Sequence, residues 1–158
     1  TKLELEAAIA ACGEAAIVPL SGLLGQIGKN QHTKPVNADL GKKSFPLPRD
    51  IAARILIRLG TAVLPAMEQI LSKDSVERQS EAIDVIGHTA WTTGDMRSER
   101  TLLDLYARTH SDLIRWKIVR ALRSFGSEET LVLLKSASMC SDIVMKREAK
   151  RSLELRGK

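Results

Sequence analysis

Short runs of helix-forming residues that end in glycine recur along the chain. The glycines are Gly13, Gly60, Gly87, Gly126 and Gly157, and in three places a second apolar run follows at once. A glycine just past the end of a helix adopts the left-handed conformation without steric cost, so a glycine between two amphipathic helices marks a tight turn. The pattern therefore predicts helical hairpins that repeat along the chain and stack on one another.

The spacings between these glycines indicate the size of the repeat. They are 47, 27, 39 and 31 residues, and the two short values favour a hairpin of about thirty residues. The two long values are explained by insertions, a long loop at about 26–48 and a shorter one at about 88–97. We expect helices at about 3–12, 14–25, 49–59, 61–72, 75–86, 98–109, 112–125, 128–138 and 142–156.

The composition agrees with an all-helical core. The 158 residues include two tryptophans, one tyrosine and two phenylalanines, so the core must be built from Leu, Ile, Val and Ala. Such a core favours helices over a β-sandwich. The predicted fold class is an all-α solenoid of four to five stacked hairpins. We expect residues 1–158 to form a single domain, either complete in itself or part of a longer array.

Cysteine usage and hydropathy indicate the compartment. Cys12 and Cys140 form neither a disulfide framework nor a CxxC metal motif, which favours a reducing environment and hence the cytoplasm. No apolar run approaches the roughly eighteen residues that a membrane-spanning helix needs. We expect no membrane association and no cofactor.

One repeat unit resembles a known family. The stretch RWKIVRALRSFGSEETLVLLKSA, residues 115–137, resembles a HEAT repeat of the short, phycobilin-lyase-like kind. The matching positions are Asp112, Arg115, Ala121, Leu122 and Gly126, and Pro19 and Pro65 resemble the proline found early in the second helix of such units. The resemblance implies an α-solenoid but little about activity, since scaffolds, lyase subunits and DNA-repair glycosylases all use this fold.

The helix at 112–125 carries an unusual polar side. At about 100° per residue, its apolar side chains form one stripe, and Trp116, Arg120 and Arg123 lie together on the opposite side. Two interpretations stay open. The three residues could form a platform for a protein or a nucleic acid. Alternatively, Trp116 could pack between repeats with an arginine stacked on its ring.

Basic residues also recur by register. Arg49, Arg115 and Lys146 lie eleven residues before a glycine, and Arg54, Arg120 and Arg151 lie six before one. The family resemblance suggests that the earlier position pairs with an aspartate, which gives Asp112 with Arg115 and Asp142 with Lys146. The unit that ends at Gly87 has Val76 and Glu81 at the two positions, so a continuous basic stripe is interrupted. That break counts against a long nucleic-acid groove.

The last predicted helix is the most basic part of the chain. Residues 89–158 carry a net charge of +5, with fourteen basic and nine acidic residues. Lys146, Arg147, Lys150 and Arg151 form two adjacent pairs four residues apart. A solvated charged face explains this pattern, and nucleic-acid binding is the alternative.

Enzymatic interpretations have weak support. Glu81, Asp84 and His88 lie on one helical face and could hold a metal, although ordinary surface helices often carry this spacing. Trp91 and Asp95 resemble, loosely, the pocket residues of HEAT-like alkylpurine glycosylases; the alternative is that Trp91 packs its loop onto the hairpin. We assign no catalytic residue and no metal ligand.

The leading hypothesis is a non-catalytic scaffold that binds an unidentified protein. Its surface would be the face made by the second helices of the hairpins, supplemented by the two insertions. The alternative is a nucleic-acid binder that uses the C-terminal basic residues, and a HEAT-like DNA glycosylase comes third. The candidate contact residues are Trp91, Trp116, Arg120, Arg123, Lys146, Arg147, Lys150 and Arg151.

Overall fold

The computed structural model describes residues 1–26 and 45–156. All regular secondary structure in these two ranges is helical. The helices stack as hairpins in two layers, so the predicted all-α solenoid is confirmed.

Nine α-helices lie in the described ranges. They are α1 (Lys2–Ala10), α2 (Ile17–Leu23), α3 (Ile51–Leu56), α4 (Leu64–Lys73), α5 (Val76–Thr93), α6 (Glu99–Arg108), α7 (Asp112–Ala121), α8 (Glu128–Ser138) and α9 (Ile143–Leu155). The same ranges contain three 3₁₀ segments, Gly13–Ala16 before α2, Ile57–Val63 between α3 and α4, and Leu122–Ser124 after α7.

The odd-numbered helices form one layer and the even-numbered helices the other. In the first layer α1 contacts α3, α3 contacts α5, α5 contacts α7 and α7 contacts α9, with α5 and α7 in the most extensive contact. Helices α2, α4, α6 and α8 pack against α3, α5, α7 and α9. The core between the layers is mainly Leu, Ile, Val and Ala. Helices α6 and α8 touch each other far less than α5 and α7 do, which leaves a groove between them.

Side-chain caps fix where the helices begin. Ser75, Ser111 and Ser127 each accept a hydrogen bond from a backbone N–H in the first turn of α5, α7 and α8. The carboxylates of Asp50 and Asp142 each accept from two such N–H groups, in α3 and α9. A cap satisfies donors that have no partner inside the helix. Helix α8, capped by Ser127, also carries Glu128 and Glu129 in its first turn, where negative charge is favourable.

The glycine pattern is only partly confirmed. Gly13 and Gly60 adopt positive φ angles of 63° and 65° and turn the chain as predicted. Gly126 does not, because α7 ends in a 3₁₀ turn and Phe125 is extended, with φ −114° and ψ 155°. Gly157 lies outside the described residues.

The prediction that a helix ends at Gly87 is wrong. Helix α5 continues to Thr93 and ends at Gly94, whose φ is 74°. The predicted insertion at 88–97 is therefore helical over 88–93, and only the short connection to α6 is not. Thr89 and Ala90 are buried on the neighbouring elements, so tertiary packing overrides the weak helix propensity of the glycine.

Gly87 lies where α5 meets α7. A Cβ atom at this position would lie 2.6 Å from Phe45 Cζ and 2.8 Å from Ala121 Cβ. The Ser124 hydroxyl donates to the Gly87 carbonyl over 2.8 Å, a second link between α5 and the end of α7. The glycine thus permits close helix packing and does not end a helix.

Most of the predicted insertion at about 26–48 lies outside the described residues. Its last four residues, Phe45–Pro–Leu–Pro48, carry no regular secondary structure and lead to the Asp50 cap of α3. Phe45 is 4% exposed and packs on α5 and α7.

One stretch, Ile51–Lys73, has the length and apolar composition of a membrane span. It consists of α3 and α4, joined through Gly60 in a non-helical conformation. Leu56, Val63 and Met67 from this stretch are fully buried in the core. The structure thus uses it as a core hairpin.

Gly87→Ala is expected to destabilise the fold. Alanine gains helix propensity, but the clash with Phe45 and Ala121 outweighs this gain, and we expect a net loss of about 1–3 kcal/mol. The matched control is Gly22→Ala in α2, where no atom lies within 4 Å of the added Cβ, so stability should rise by up to about 1 kcal/mol. Urea unfolding followed by circular dichroism measures both variants. Equal stability changes would contradict the close approach of α5 and α7.

Candidate interaction surfaces

Trp116 lies in the interior of the solenoid. Its side chain is 3% exposed and belongs to the hydrophobic core. The Arg120 guanidinium stacks on the indole, 4.6 Å from the ring centroid. The side of α7 opposite its first apolar stripe is therefore covered by neighbouring elements, and Trp116 is not available as an outer contact.

Arg123 is also buried, at 1% exposure. Its guanidinium forms an ion pair with Glu148 of α9, and its Nε donates to the Arg120 carbonyl over 3.0 Å. Burial lowers the pKa of Arg123 to about 10, and the group stays protonated at neutral pH. Arg123 therefore joins α7 to α9 and does not face solvent.

Ion pairs connect successive helices of the first layer. Glu6 of α1 accepts from Arg54 of α3 at 3.3 Å. Asp84 of α5 accepts from Lys117 and, at 2.6 Å, from Arg120, both on α7. With the Arg123–Glu148 pair, these contacts form a line that we call the interior ion-pair line. Its carboxylates are almost fully buried, so each is neutralised by a cation on the next helix.

Two acidic residues on α5 titrate differently. Burial and the nearby charge of Asp84 raise the pKa of Glu81 to about 7. Burial also raises the pKa of Asp84, but Arg120 and Lys117 outweigh this effect, so the pKa of Asp84 lies below its usual value. Asp84 is thus charged at neutral pH, and Glu81 is close to half protonated.

Glu81, Asp84 and His88, whose spacing in the sequence suits a metal site, do not form a cluster of metal ligands in the structure. No group of three metal-binding side chains is found within residues 1–26 and 45–156. Asp84 contacts Lys117 and Arg120, and the His88 ring packs edge-on against Phe45 at 5.8 Å.

The repeat architecture now has a counterpart among known sequences. A family model described as HEAT repeats matches residues 64–154, more than half of the chain. The chain belongs to the HEAT-repeat family. No curated protein and no solved structure matches it in the comparisons made.

The register of ion pairs in these HEAT repeats differs from the prediction. Asp112 and Arg115 form no ion pair in the described part of the chain. The Arg115 guanidinium carbon lies 5.8 Å from the centroid of the Tyr106 ring. Asp142 caps α9, accepting from the N–H groups of its first turn, and its predicted pair with Lys146 stays a prediction. Arg54 and Arg120, which lie six residues before a glycine, pair with carboxylates of a neighbouring helix.

The sequence could not identify the acidic partners of this line. Glu6 and Asp84 lie seven and three residues before their glycines, so they share no register position. Glu148 lies on a third position again, nine residues before Gly157. Repeat register therefore marks Arg54 and Arg120 but neither the carboxylates nor Lys117 and Arg123.

The basic residues of α9 do not form one surface. Arg147 and Lys150 are exposed, Lys146 is half-buried, and Arg151 is buried on the inner side of the helix. The four residues that look contiguous in sequence are therefore divided between solvent and interior.

Trp91 and Asp95 have separate partners. Trp91 lies in helix α5 and not in the predicted loop, so the interpretation that it packs its own loop onto the hairpin is wrong; its ring centroid lies 6.5 Å from that of Phe45. Asp95 follows Gly94 and receives two-pronged hydrogen bonds from Arg97, which hold the pKa of its carboxyl below the usual range.

A groove lies between the second helices α6 and α8, and the sequence pattern did not indicate its lining residues. It has a volume of about 530 Å³ and is lined by Tyr106, Glu128, Glu129, Val132, Leu133 and Ser136. Val132 is 60% exposed, an unusual position for a large apolar side chain. The apolar run of α8 hid this residue, because the run has no helical period that separates its outward from its inward positions.

The first turns of α6 and α8 are tied together. The Glu99 carboxylate accepts from the Ser127 N–H at 3.0 Å and from the Thr130 hydroxyl at 2.6 Å. Arg100 reaches Glu129 at 2.7 Å. These contacts hold one end of the groove, and Tyr106, supported by Arg115, lines it further along.

Glu81→Gln is expected to change how stability depends on pH. Between pH 4.5 and 7 the unfolded chain releases the Glu81 proton while the folded chain retains it, so the stability of the parent falls as pH rises through this range. Glutamine removes this dependence. The free energy of unfolding of the variant minus that of the parent should rise by up to about 3 kcal/mol between pH 4.5 and pH 8.

Urea unfolding at several pH values measures this difference, and contributions from other titrating groups such as His88 largely cancel in it. The control is Glu14→Gln, an exposed position before α2, which should leave the profile of the parent unchanged. A difference that stays constant with pH would show that Glu81 does not retain its proton on folding.

Proposed function

We propose that the chain is a non-catalytic protein-interaction scaffold that binds a basic, partly apolar helix or peptide of a partner in the α6/α8 groove. HEAT repeats are generally protein-interaction scaffolds. The observation that carries the proposal is the groove itself, an open apolar channel between two second helices with acidic residues on its rim. The mechanism requires shape and charge complementarity and no cofactor.

The lining of the groove supports this partner chemistry. The exposed part of Val132, together with Leu133 and Tyr106, offers an apolar floor that an aliphatic or aromatic anchor would cover. The aromatic ring of Tyr106 is held by Arg115, so it would not need to be immobilised on binding.

Charge on the rim supports a basic partner. Arg100 pairs with Glu129, and Glu128 has no ion pair among the described residues. Glu128 thus places a carboxylate without an ion pair in the groove lining, on a chain of net charge +5. A lysine or arginine beside the apolar anchor would be steered toward Glu128 and away from the basic parts of the surface.

The distribution of cations weakens the nucleic-acid alternative. Lys117, Arg120 and Arg123 pair with carboxylates in the interior ion-pair line, so the basic excess of residues 89–158 is smaller at the surface than in the sequence. A glycosylase is weaker still, because Asp95 is held by Arg97. The free thiols of Cys12 and Cys140 agree with the cytoplasm as the proposed compartment.

Affinity capture with matched variants tests the scaffold proposal. Val132→Asp places a charge on the groove floor and should raise the Kd of the partner at least about tenfold. Val18→Asp, at a 79% exposed position on α2, should leave binding unchanged. Proteins that bind the parent and the Val18→Asp variant but not the Val132→Asp variant are the expected partners.

Each captured partner should then have the binding properties proposed above. Its binding segment should be basic and apolar, and Glu128→Lys should weaken it with a reduced salt dependence. Partners that bind both aspartate variants equally would contradict the groove as the site. Tight, salt-sensitive DNA binding that is lost in Arg147→Glu with Lys150→Glu would favour the nucleic-acid alternative.

A further inference from the structure

Phe45 fills a socket on the first layer of the solenoid. The socket is formed by Gly87, His88 and Trp91 of α5 and by Ala121 and Arg123 at the end of α7, and we call it the Phe45 socket. His88 meets the ring of Phe45 edge-on at 5.8 Å, Trp91 lies at 6.5 Å, and the Arg123 guanidinium lies 5.5 Å from the ring centroid.

The chemistry of the socket selects an aromatic ring. Its floor is a glycine and an alanine, and a side chain at Gly87 would collide with Phe45 at 2.6 Å. Its sides are two aromatic rings and a buried cation, all of which interact favourably with the face or edge of a flat ring. An aliphatic side chain would fill the space without these contacts.

The occupant belongs to neither helical layer. Residues 45–48, Phe-Pro-Leu-Pro, form an irregular segment that precedes α3 and places Phe45 in the socket. Leu47 is 62% exposed, so the segment is held mainly at Phe45 and Pro48. Proline-restricted peptides bind with a small loss of backbone entropy, which makes such a segment a good short ligand.

We propose that the Phe45 socket is a second binding site, for an extended partner peptide that carries an aromatic residue followed by proline, and that residues 45–48 occupy it until the peptide displaces them. The site lies on the opposite layer from the α6/α8 groove and does not depend on the function proposed for that groove. Displacement is feasible because the segment carries no regular secondary structure and its Leu47 is 62% exposed.

Residues 45–48 compete with an added peptide for the socket, and this competition determines the dissociation constants to expect. A tethered segment competes at an effective concentration on the order of 1 mM. A peptide that binds the empty socket with a Kd well below this value would bind the parent with an apparent Kd on the order of 1 mM. Removal of the tethered ring should therefore strengthen binding at least about tenfold.

The probe is a capped synthetic peptide with the sequence of residues 44–49, Ser-Phe-Pro-Leu-Pro-Arg. Calorimetry and the fluorescence of Trp91 measure its binding to the parent, to Phe45→Ala and to Leu47→Ala. Phe45→Ala should bind the peptide at least about tenfold more tightly than the parent does. Leu47→Ala, which changes an exposed residue of the same segment, should behave like the parent.

Two further measurements show whether the peptide occupies the Phe45 socket. A peptide with alanine in place of its phenylalanine should not bind, and Val132→Asp should leave peptide binding to Phe45→Ala unchanged, which separates the socket from the groove. If Phe45→Ala fails to fold, Phe45→Leu keeps an apolar side chain in the socket and must still bind more tightly than the parent.

Two results would overturn the proposal. The first is a folded Phe45→Ala or Phe45→Leu variant that binds the peptide no better than the parent. The second is a parent that shows no response at about 10 mM peptide, well above the effective concentration of the tethered segment. Residues 45–48 would then be a permanent part of the core.

Discussion

The contact between α5 and α7 sets the geometry on which the rest of the solenoid depends. Gly87 lets the helices approach closely, and the buried carboxylate of Asp84 accepts from Lys117 and Arg120, one turn apart on α7. Buried ion pairs add little net stability, because desolvation offsets their attraction. Leaving one such charge unpaired, however, costs about 3–5 kcal/mol. A shift of α7 by one turn along α5 would leave such a charge unpaired. The pairing therefore fixes the register of the two helices.

The same pairing decides what the outside of the molecule offers to partners. Three of the fourteen cations of residues 89–158, Lys117, Arg120 and Arg123, lie in the interior and pair with carboxylates of neighbouring helices. The surface of the second layer contains the α6/α8 groove, whose lining includes Val132 and two glutamates. For the partner proposed above, the local charge around the groove is therefore a better guide than the net charge of the chain.

Local signals made the helices predictable, and tertiary contacts account for the errors. Capping serines and aspartates such as Ser127 and Asp142 act within one turn, so most helix starts agree with the sequence to within a few residues. Gly87 looked like a helix end because a sequence does not reveal which helix packs against it. Trp116 could be assigned to either side for the same reason: a solenoid helix buries two stripes, and the second becomes visible only when its neighbour is placed.

The groove and the Phe45 socket lie on opposite layers, yet α7 supports both. Its Arg115 holds Tyr106 in the groove, and its last turn supplies Ala121 to the socket. Coupling between two sites requires an element with two arrangements that both ligands bias. Helix α7 is a poor candidate for such an element, because its axial position is fixed by Asp84 on one neighbour and its end is tied by Arg123 to the other. If both proposed sites bind partners, they should therefore do so independently of each other.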